Sequence, residues 1–157
     1  MKVASFSDIE EEFQKRVAGI VWCTAATIDR KGRPRSRILH PIWEGSTGWI
    51  ATGRTTFKAR HIEKNPYVSL AYWDQQHEQV YADCRAEWEE DPAAKQRIWD
   101  LLKDTPMPVG YDPGLFWKSP QDPSYGVLKL TPWRIEVWSL QEMMQGKPQT
   151  VWRPPSQ

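Results

Sequence analysis

The sequence predicts a mainly β protein of the α+β class: a small antiparallel barrel of six or seven strands with a few peripheral helices. Segments rich in β-branched and aromatic residues recur along the chain, and short turns with Gly, Pro, Asn or Asp separate them. Only three segments have the spacing of amphipathic helices. A doubly wound α/β sheet would need a helix between nearly all of its strands, so the pattern favours a barrel.

The three helices are placed by apolar spacing and by capping residues. Asp8–Val17 carries apolar residues at every fourth position, and Phe57–Asn65 ends before Pro66. Asp91–Lys103 begins with Asp as the N-cap and Pro at the first helical position, which is a favoured start. The predicted strands are Val21–Ile28, Arg35–Trp43, Gly48–Thr52, Tyr67–Trp73, Gln79–Trp88, Tyr125–Leu130 and Trp133–Leu140.

Connections between these elements give the local topology. The turns that join the first three strands are short, so we expect those strands to form a meander. Residues 105–123 are punctuated by Pro and Gly and are expected to form a loop. The chain has ten Trp residues, several times the usual share, and we expect most of them to fill a barrel core or a dimer interface.

Length and composition describe one globular domain. The chain has 157 residues, of which 39% are hydrophobic and 26% are charged. We expect a single domain over residues 1–142 and a C-terminal tail over 143–157 that is mobile or packed on a partner. No apolar run is long enough to cross a bilayer, and acidic residues near the N-terminus do not fit a signal peptide. We therefore expect a cytoplasmic protein without a membrane partner.

Several common kinds of site have no support in the sequence. Cys23 and Cys84 are far apart, and neither they nor the three His residues have the spacing of metal ligands, so no metal is predicted. The chain has no Gly-rich dinucleotide or P-loop motif and no GxSxG. A nucleic-acid partner is not expected either, because the isoelectric point near 7.8 is well below the strongly basic range.

Positive charge is concentrated in one β–β–α segment. Residues 30–64 contain nine Lys or Arg residues but only two Asp or Glu, whereas the net charge of the whole chain is +1. Arg35 and Arg37 project to one face of a strand, and Arg suits forked contact with phosphate oxygens. Thr56 and Lys58 stand at the start of a helix, where free backbone N–H groups favour anions. This segment therefore predicts a phosphate site.

Several short motifs follow one another in and after this segment. They are GRPRSR at 32–37, WIAT at 49–52, TFK at 56–58, IEKNPYVSL at 62–70, and LTP at 130–132 followed by Trp138. Their order and spacing resemble the pyridoxamine 5'-phosphate oxidase-like family of FMN-binding split-barrel proteins, over roughly Val21 to Leu140. The resemblance implies a split barrel that forms a homodimer, with the flavin at the subunit interface.

The resemblance also implies which residues touch the cofactor. Arg37 would hold the FMN phosphate, and Thr56 with Lys58 would complete the phosphate site. Thr52 would contact the ring or the ribityl chain. Trp138 would cover the flavin from the closing strands, from the same subunit or from the other.

Two further residues follow from the same resemblance. Ile38 and Leu39 would run beside the isoalloxazine ring. The true oxidase has Arg where this chain has Phe57, and no match to its C-terminal substrate-binding residues is found. Pyridoxamine phosphate is therefore not indicated as the substrate.

The function implied is that of a flavin-dependent oxidoreductase, which passes a hydride or electrons between FMN and an unidentified small molecule. No catalytic residue is assigned, and His40 is the one ionisable candidate. A deazaflavin coenzyme is the alternative cofactor, since Arg54 and Arg60 could contact its more acidic tail. A flavin-binding protein without turnover, acting as a sensor or a carrier, is the other alternative.

Overall fold

The computed structural model describes residues 1–155. Within them the strands are β1 Lys2–Val3, β2 Cys23–Ile28, β3 Pro34–Leu39, β4 Ile42–Glu44, β5 Thr47–Gly53, β6 Tyr67–Trp73, β7 Glu78–Glu89, β8 Tyr125–Ser139 and β9 Thr150–Trp152. The α-helices are α1 Glu10–Ile20, α2 Phe57–Lys64, α3 Pro92–Asp104 and α4 Leu140–Met144, with 3-10 turns at Phe6–Asp8 and Pro113–Leu115. None of the helices in this part of the chain has the length and apolar character to span a membrane.

The strands belong to one sheet that curls back on itself. Its order is β1-β9-β8-β7-β6-β2-β3, and β8 also pairs with β5, which pairs with β4. Because only two residues separate the end of β3 from the start of β4, the two ends of this path lie close together. All pairs are antiparallel except the short β1–β9 pair. The predicted mainly β split-barrel class is confirmed, with two short strands, β1 and β9, beyond those expected.

The expected meander of three strands is wrong. The predicted strand Arg35–Trp43 divides at Pro41, which has no N–H to donate to a neighbouring strand. Its first part, β3, pairs with β2, and its second part, β4, forms a hairpin with β5. β5 then pairs with β8 instead of β3. This division opens the space between β3 and β5.

The two closing strands predicted on either side of Pro132 are one continuous strand, β8. Pro132 lies opposite Cys84, and Arg134 lies opposite Asp83, so Trp133 is an extra residue on β8. Such a bulge accommodates Pro because it interrupts the hydrogen-bonded ladder locally. β8 can therefore pair with β5, β7 and β9 along its length.

The segment expected to be a mobile or partner-bound tail is partly built into the sheet. Its last strand, β9, pairs with both β8 and β1. Trp152 is only 8% exposed, and its ring packs edge-to-face on Phe6 with centroids 5.2 Å apart. Burial of this large aromatic ring explains why the segment packs on its own chain. Residues 156 and 157 lie outside the described part of the chain.

Two apolar clusters hold the barrel and its helices together. Phe13 and Val17 of α1 pack into the barrel core. Ile98, Trp99 and Leu102 of α3 form a second cluster with residues of β4, β5 and β8. The second cluster fixes the end of α3, from which the loop at 105–117 runs over the space between β3 and β5. The three predicted helices are thus present, with bounds shifted by up to three residues.

Candidate functional site

A cavity of about 560 Å³ lies between β3, β5, the start of α2 and the loop at 105–117. Its volume falls in the range of about 300–1,000 Å³ that is usual for small-molecule sites. The predicted site residues that line it are Ile38, Leu39, Thr52, Thr56 and Lys58. They come from three elements that are neighbours because the strand divides at Pro41.

The start of α2 is arranged to favour a negative charge. Thr56 is the N-cap: its Oγ1 accepts a hydrogen bond from the Ala59 N–H at 3.4 Å and donates one to the Gly53 carbonyl at 3.1 Å. The first turn of α2 contains Lys58 and no acidic residue. The positive end of the helix dipole and the Lys58 ammonium are therefore both directed to the same region.

Arg37 is not among the residues that line the cavity; a series of hydrogen bonds links its side chain to α2. Its Nη1 donates to Thr27 Oγ1 at 2.8 Å, and Thr27 Oγ1 in turn shares a hydrogen bond with His61 Nδ1 at 2.9 Å. Thr27 is only 2% exposed, so this support is part of the barrel wall. Arg37 lies on β3, Thr27 on β2 and His61 on α2. The two hydrogen bonds therefore fix the position of the Arg37 guanidinium relative to α2.

The positive charges of Arg37 and Lys58 have no carboxylate partner in the described part of the chain. Neither side chain forms an ion pair with a carboxylate in residues 1–155. Burial lowers the pKa of Lys58, and the charge of Arg37 lowers it further. Burial likewise lowers the pKa of Arg37, with a smaller contribution from Arg35. An anion held between Arg37 and Lys58 would relieve both effects, so the residues present fit a phosphate group.

The two other basic residues considered for an acidic coenzyme tail differ in their surroundings. Arg54 forms an ion pair with Glu90 at 2.8 Å and stacks over the Trp88 ring at 4.3 Å. Its charge is thus already paired. Arg60 is exposed and stacks over Phe57, with 5.6 Å from the guanidinium carbon to the ring centroid.

His40 lies at the other end of the cavity, between two aromatic rings that are tilted against it. Its ring centroid is 4.8 Å from that of Trp22 and 5.2 Å from that of Tyr111. Its Nε2 atom is buried without a hydrogen-bond partner in the described chain. Burial lowers the pKa of His40, and the backbone of Val109 opposes this only in part. Burial therefore favours the neutral form of His40.

The loop at 105–117 forms one wall of the cavity, and the sequence did not assign it to the site. It contributes Met107, Tyr111, Phe116 and Trp117 to the lining. A cluster of aromatic residues in an otherwise Pro- and Gly-rich segment was the available signal. Among residues 1–155, no group of three or more His, Cys, Asp or Glu side chains is placed to hold a metal ion.

Trp138 lies apart from the other predicted residues. It lines a separate cavity of about 350 Å³, together with Lys147, Arg153 and the N-terminal residues. Its Nε1 atom is buried without a hydrogen-bond partner in the described chain. Within one chain, therefore, Trp138 does not contribute to the cavity beside Arg37 and Lys58.

Comparison with known proteins extends over most of the chain. The family model described as pyridoxamine 5'-phosphate oxidase matches residues 9–139. A search of curated protein sequences gave no match.

Several solved structures share the fold. A Clostridium acetobutylicum protein related to general stress protein 26 superposes with a TM-score of 0.72 at 15% identity, covering 96% of this chain and 97% of that chain. A pyridoxamine 5'-phosphate oxidase-related, FMN-binding protein from Nostoc punctiforme superposes with a TM-score of 0.65 at 22% identity, covering 94% of this chain and 88% of that chain. An F420 reductase superposes with a TM-score of 0.58 at 17% identity, covering 78% of this chain and 94% of that chain.

Proposed function

Because the chain belongs to the pyridoxamine 5'-phosphate oxidase family, we propose that it binds FMN and acts as a flavin-dependent oxidoreductase on a small molecule. The observation that carries the proposal is the pair Arg37 and Lys58. Two partly buried positive charges lie close enough for one to lower the pKa of the other, and neither has a carboxylate partner in residues 1–155. A doubly charged phosphate is the ligand that this arrangement favours.

The phosphate would lie at the start of α2. Arg37 would offer its guanidinium from β3, and Lys58 its ammonium from the helix. The Thr56 hydroxyl and the first backbone N–H groups of α2 would add neutral donors. Thr27 and His61 would act as positioning residues, since they hold the Arg37 side chain.

The ring of the flavin would extend from there along the cavity. Ile38 and Leu39 would flank it from β3, and Thr52 would contact the ring or the ribityl chain from β5. Bound flavin supplies the capacity to accept and donate a hydride or electrons, and the protein supplies binding, orientation and exclusion of water.

We further propose a homodimer with the flavin at its interface. Ile38 and Phe116, at the mouth of the cavity, are both largely exposed in the single chain. Trp138 lies outside the cavity, and its indole N–H has no partner in the described chain. A second copy would cover the exposed apolar side chains and bring its own Trp138 to the flavin.

Titration of FMN against variants tests the phosphate assignment. We expect Arg37→Ala or Lys58→Ala to weaken FMN affinity about ten- to a hundredfold, because hydrogen bonds to charged groups contribute about 1.5–3 kcal/mol each. Arg33→Ala is the matched control. Its side chain is 62% exposed and already paired with Asp29, so its removal should change the affinity little.

Riboflavin, which lacks the phosphate, separates the phosphate site from the ring site. It should bind the unmodified protein and the Arg37→Ala variant almost equally. Isothermal titration calorimetry gives all of these affinities. Equal FMN affinity for the Arg37→Ala and Arg33→Ala variants would contradict the assignment.

A deazaflavin coenzyme is the second candidate cofactor. Beside α2, on the side of the β2–β3 turn, a further cavity of about 280 Å³ is lined by Arg30, Lys31 and Arg60 among others. These cations could contact an acidic tail that extends beyond the first phosphate. The absorbance spectrum of the purified protein distinguishes the two cofactors, because FMN has two visible bands and deazaflavin has one main band at shorter wavelength.

A further inference from the structure

The end of the cavity that lies away from α2 is built from aromatic and aliphatic side chains. They are Trp22, His40, Met107, Tyr111, Leu115 and Phe116. Within residues 1–155, Lys58 is the only Lys, Arg, Asp or Glu residue in the lining of the cavity. All of its fixed charge therefore lies at one end.

Aromatic rings at the uncharged end are arranged in a row. The Trp22, His40 and Tyr111 rings follow one another at 4.8 and 5.2 Å between centroids, and Phe116 meets Tyr111 edge-on at 6.1 Å. Planar rings at such separations offer both stacked and edge-to-face contacts to another ring. Because the Trp22–His40 and His40–Tyr111 ring planes are tilted by 49° and 40°, a flat ligand can stack on one ring and meet another by its edge.

Electrostatics at the same end disfavour a charged ligand. The proposed function uses Lys58 for the phosphate of the cofactor, so no lining cation of residues 1–155 in the same subunit is left for a second anion. A cationic ligand would likewise meet no carboxylate among these lining residues. Burial favours the neutral form of His40, so this residue adds no charge that would hold an ion.

We propose that this end of the cavity binds an uncharged, planar aromatic compound as the substrate, and that Tyr111 and Phe116 determine this specificity. The proposal rests on the proposed function, because it assumes that the cofactor phosphate occupies the charged end. It assigns a substrate class different from phosphorylated pyridoxine compounds, which would bring a second phosphate.

Binding of matched compounds to the FMN-saturated protein tests the inference. 1-Naphthol and 1-naphthyl phosphate have the same ring and differ in charge. By isothermal titration calorimetry we expect 1-naphthol to bind at least about tenfold more tightly, since the phosphate ester loses its hydration without gaining a cation. Equal binding of the two compounds, or tighter binding of the ester, would overturn the proposal.

Exposed aromatic residues supply a matched pair of variants. Phe116 is 68% exposed and lines the cavity, whereas Tyr67 is 57% exposed and lies outside it, so neither substitution empties the core. Since the proposed second copy would also cover Phe116, the two variants are compared at the same sedimentation mass. Phe116→Ala should weaken 1-naphthol binding about tenfold, because an aromatic contact of this kind contributes about one tenfold step in affinity. Tyr67→Ala should leave it unchanged. Equal effects of the two variants would contradict the role of Phe116.

A third variant, Phe116→Arg, should reverse the preference for an uncharged ligand and so gain binding of the charged one. Phe116→Arg places a cation at the apolar end, and 1-naphthyl phosphate should then bind the FMN-saturated variant more tightly than 1-naphthol does. An unchanged preference would count against the proposal. If FMN itself does not bind, the proposed function fails, while the effect of Phe116→Ala on 1-naphthol binding to the flavin-free protein still decides the inference.

Discussion

Lys58 holds its positive charge in a partly buried place beside Arg37. Both burial and this neighbour lower its pKa below the usual 10.5. The unfolded chain therefore binds the Lys58 proton more tightly than the folded chain does. It follows that charged Lys58 makes folding of the flavin-free protein less favourable. This penalty is fully present below the folded pKa and is lost as the pH rises from the folded pKa to about 10.5.

Replacement of Lys58 by an uncharged residue of similar shape should separate stability from binding. We expect Lys58→Met to raise the unfolding temperature of the flavin-free protein by about 2 °C, because the desolvated charge and its repulsion from Arg37 are removed. The same variant should lose FMN affinity. Differential scanning calorimetry measures the first effect, with exposed Lys64→Met on the same helix as a control. A lower unfolding temperature for Lys58→Met than for Lys64→Met would contradict this account.

His40 gives the protein a pH-dependent stability in the acidic range. Its pKa in the folded chain lies below the usual 6.5, so the unfolded chain binds more protons as the pH falls. The contribution of neutral His40 is fully present above about pH 6.5 and is lost as the pH falls through the folded pKa. Urea unfolding between pH 7 and 5 should show this loss, and His40→Gln should show less of it. If the free energy of unfolding fell equally with pH in the unmodified protein and in His40→Gln, His40 would not be the cause of the loss.

Single residues of the site could be predicted only where the local sequence defines their position. Strand alternation and the helix start were enough to single out Arg37, Thr56 and Lys58, because each depends on a few neighbours along the chain. Thr27 and His61 could not be found in this way. Their contact with the Arg37 side chain depends on how α2 packs on β2, which the sequence pattern does not specify.

Among the elements, the loop at 105–117 depends on one glycine for its path. The Gly110 N–H donates to the Pro106 carbonyl at 3.0 Å, and the Tyr111 N–H donates to the Leu102 carbonyl at 2.8 Å. A Cβ atom on Gly110 would overlap the Thr105 carbonyl and would lie 2.7 Å from the Leu102 oxygen. The end of α3 and the cavity wall are therefore joined by a close backbone approach that only glycine permits.

Two Gly→Ala substitutions should have opposite effects on stability. Gly110→Ala should destabilise the protein by about 2 kcal/mol or more, since the backbone of the loop must shift, and it should also weaken flavin binding. Gly19→Ala, in α1, meets no atom within 4 Å and should stabilise the protein by about 0.5–1 kcal/mol. Urea unfolding measures both. A neutral Gly110→Ala variant would mean that the loop is not fixed at this point.

Strand pairing illustrates what the sequence leaves open at this scale. The segments that form β5 and β8 were both predicted, but their pairing was not, because about 70 residues of chain separate them. Pro132 also misled the assignment of β8, since a bulge at Trp133 lets the strand continue past it. Local propensity thus predicted the strands, whereas packing of distant segments determines which strands pair.

For the whole molecule, the class of the fold could be predicted from the number and spacing of strands and helices. The oligomeric state of the protein remains a prediction. We expect sedimentation at micromolar concentration to give a homodimer, because exposed Ile38, Met107, Leu115 and Phe116 surround a cavity that one chain leaves partly uncovered. Lys58→Met, which lies inside the cavity, should sediment in the same way. A single species of 18.3 kDa would contradict the dimer.

The long strand β8 also affects how the chain folds as it is synthesised. β2 can pair with β3, β4 with β5, and β6 with β7 soon after each pair has been made, but β5 lacks its second partner until residues 125–130 have emerged from the ribosome. Until then, the edges of β5 and β7 are open to other chains. A lower concentration of newly made chains should therefore favour recovery of the folded protein over aggregates.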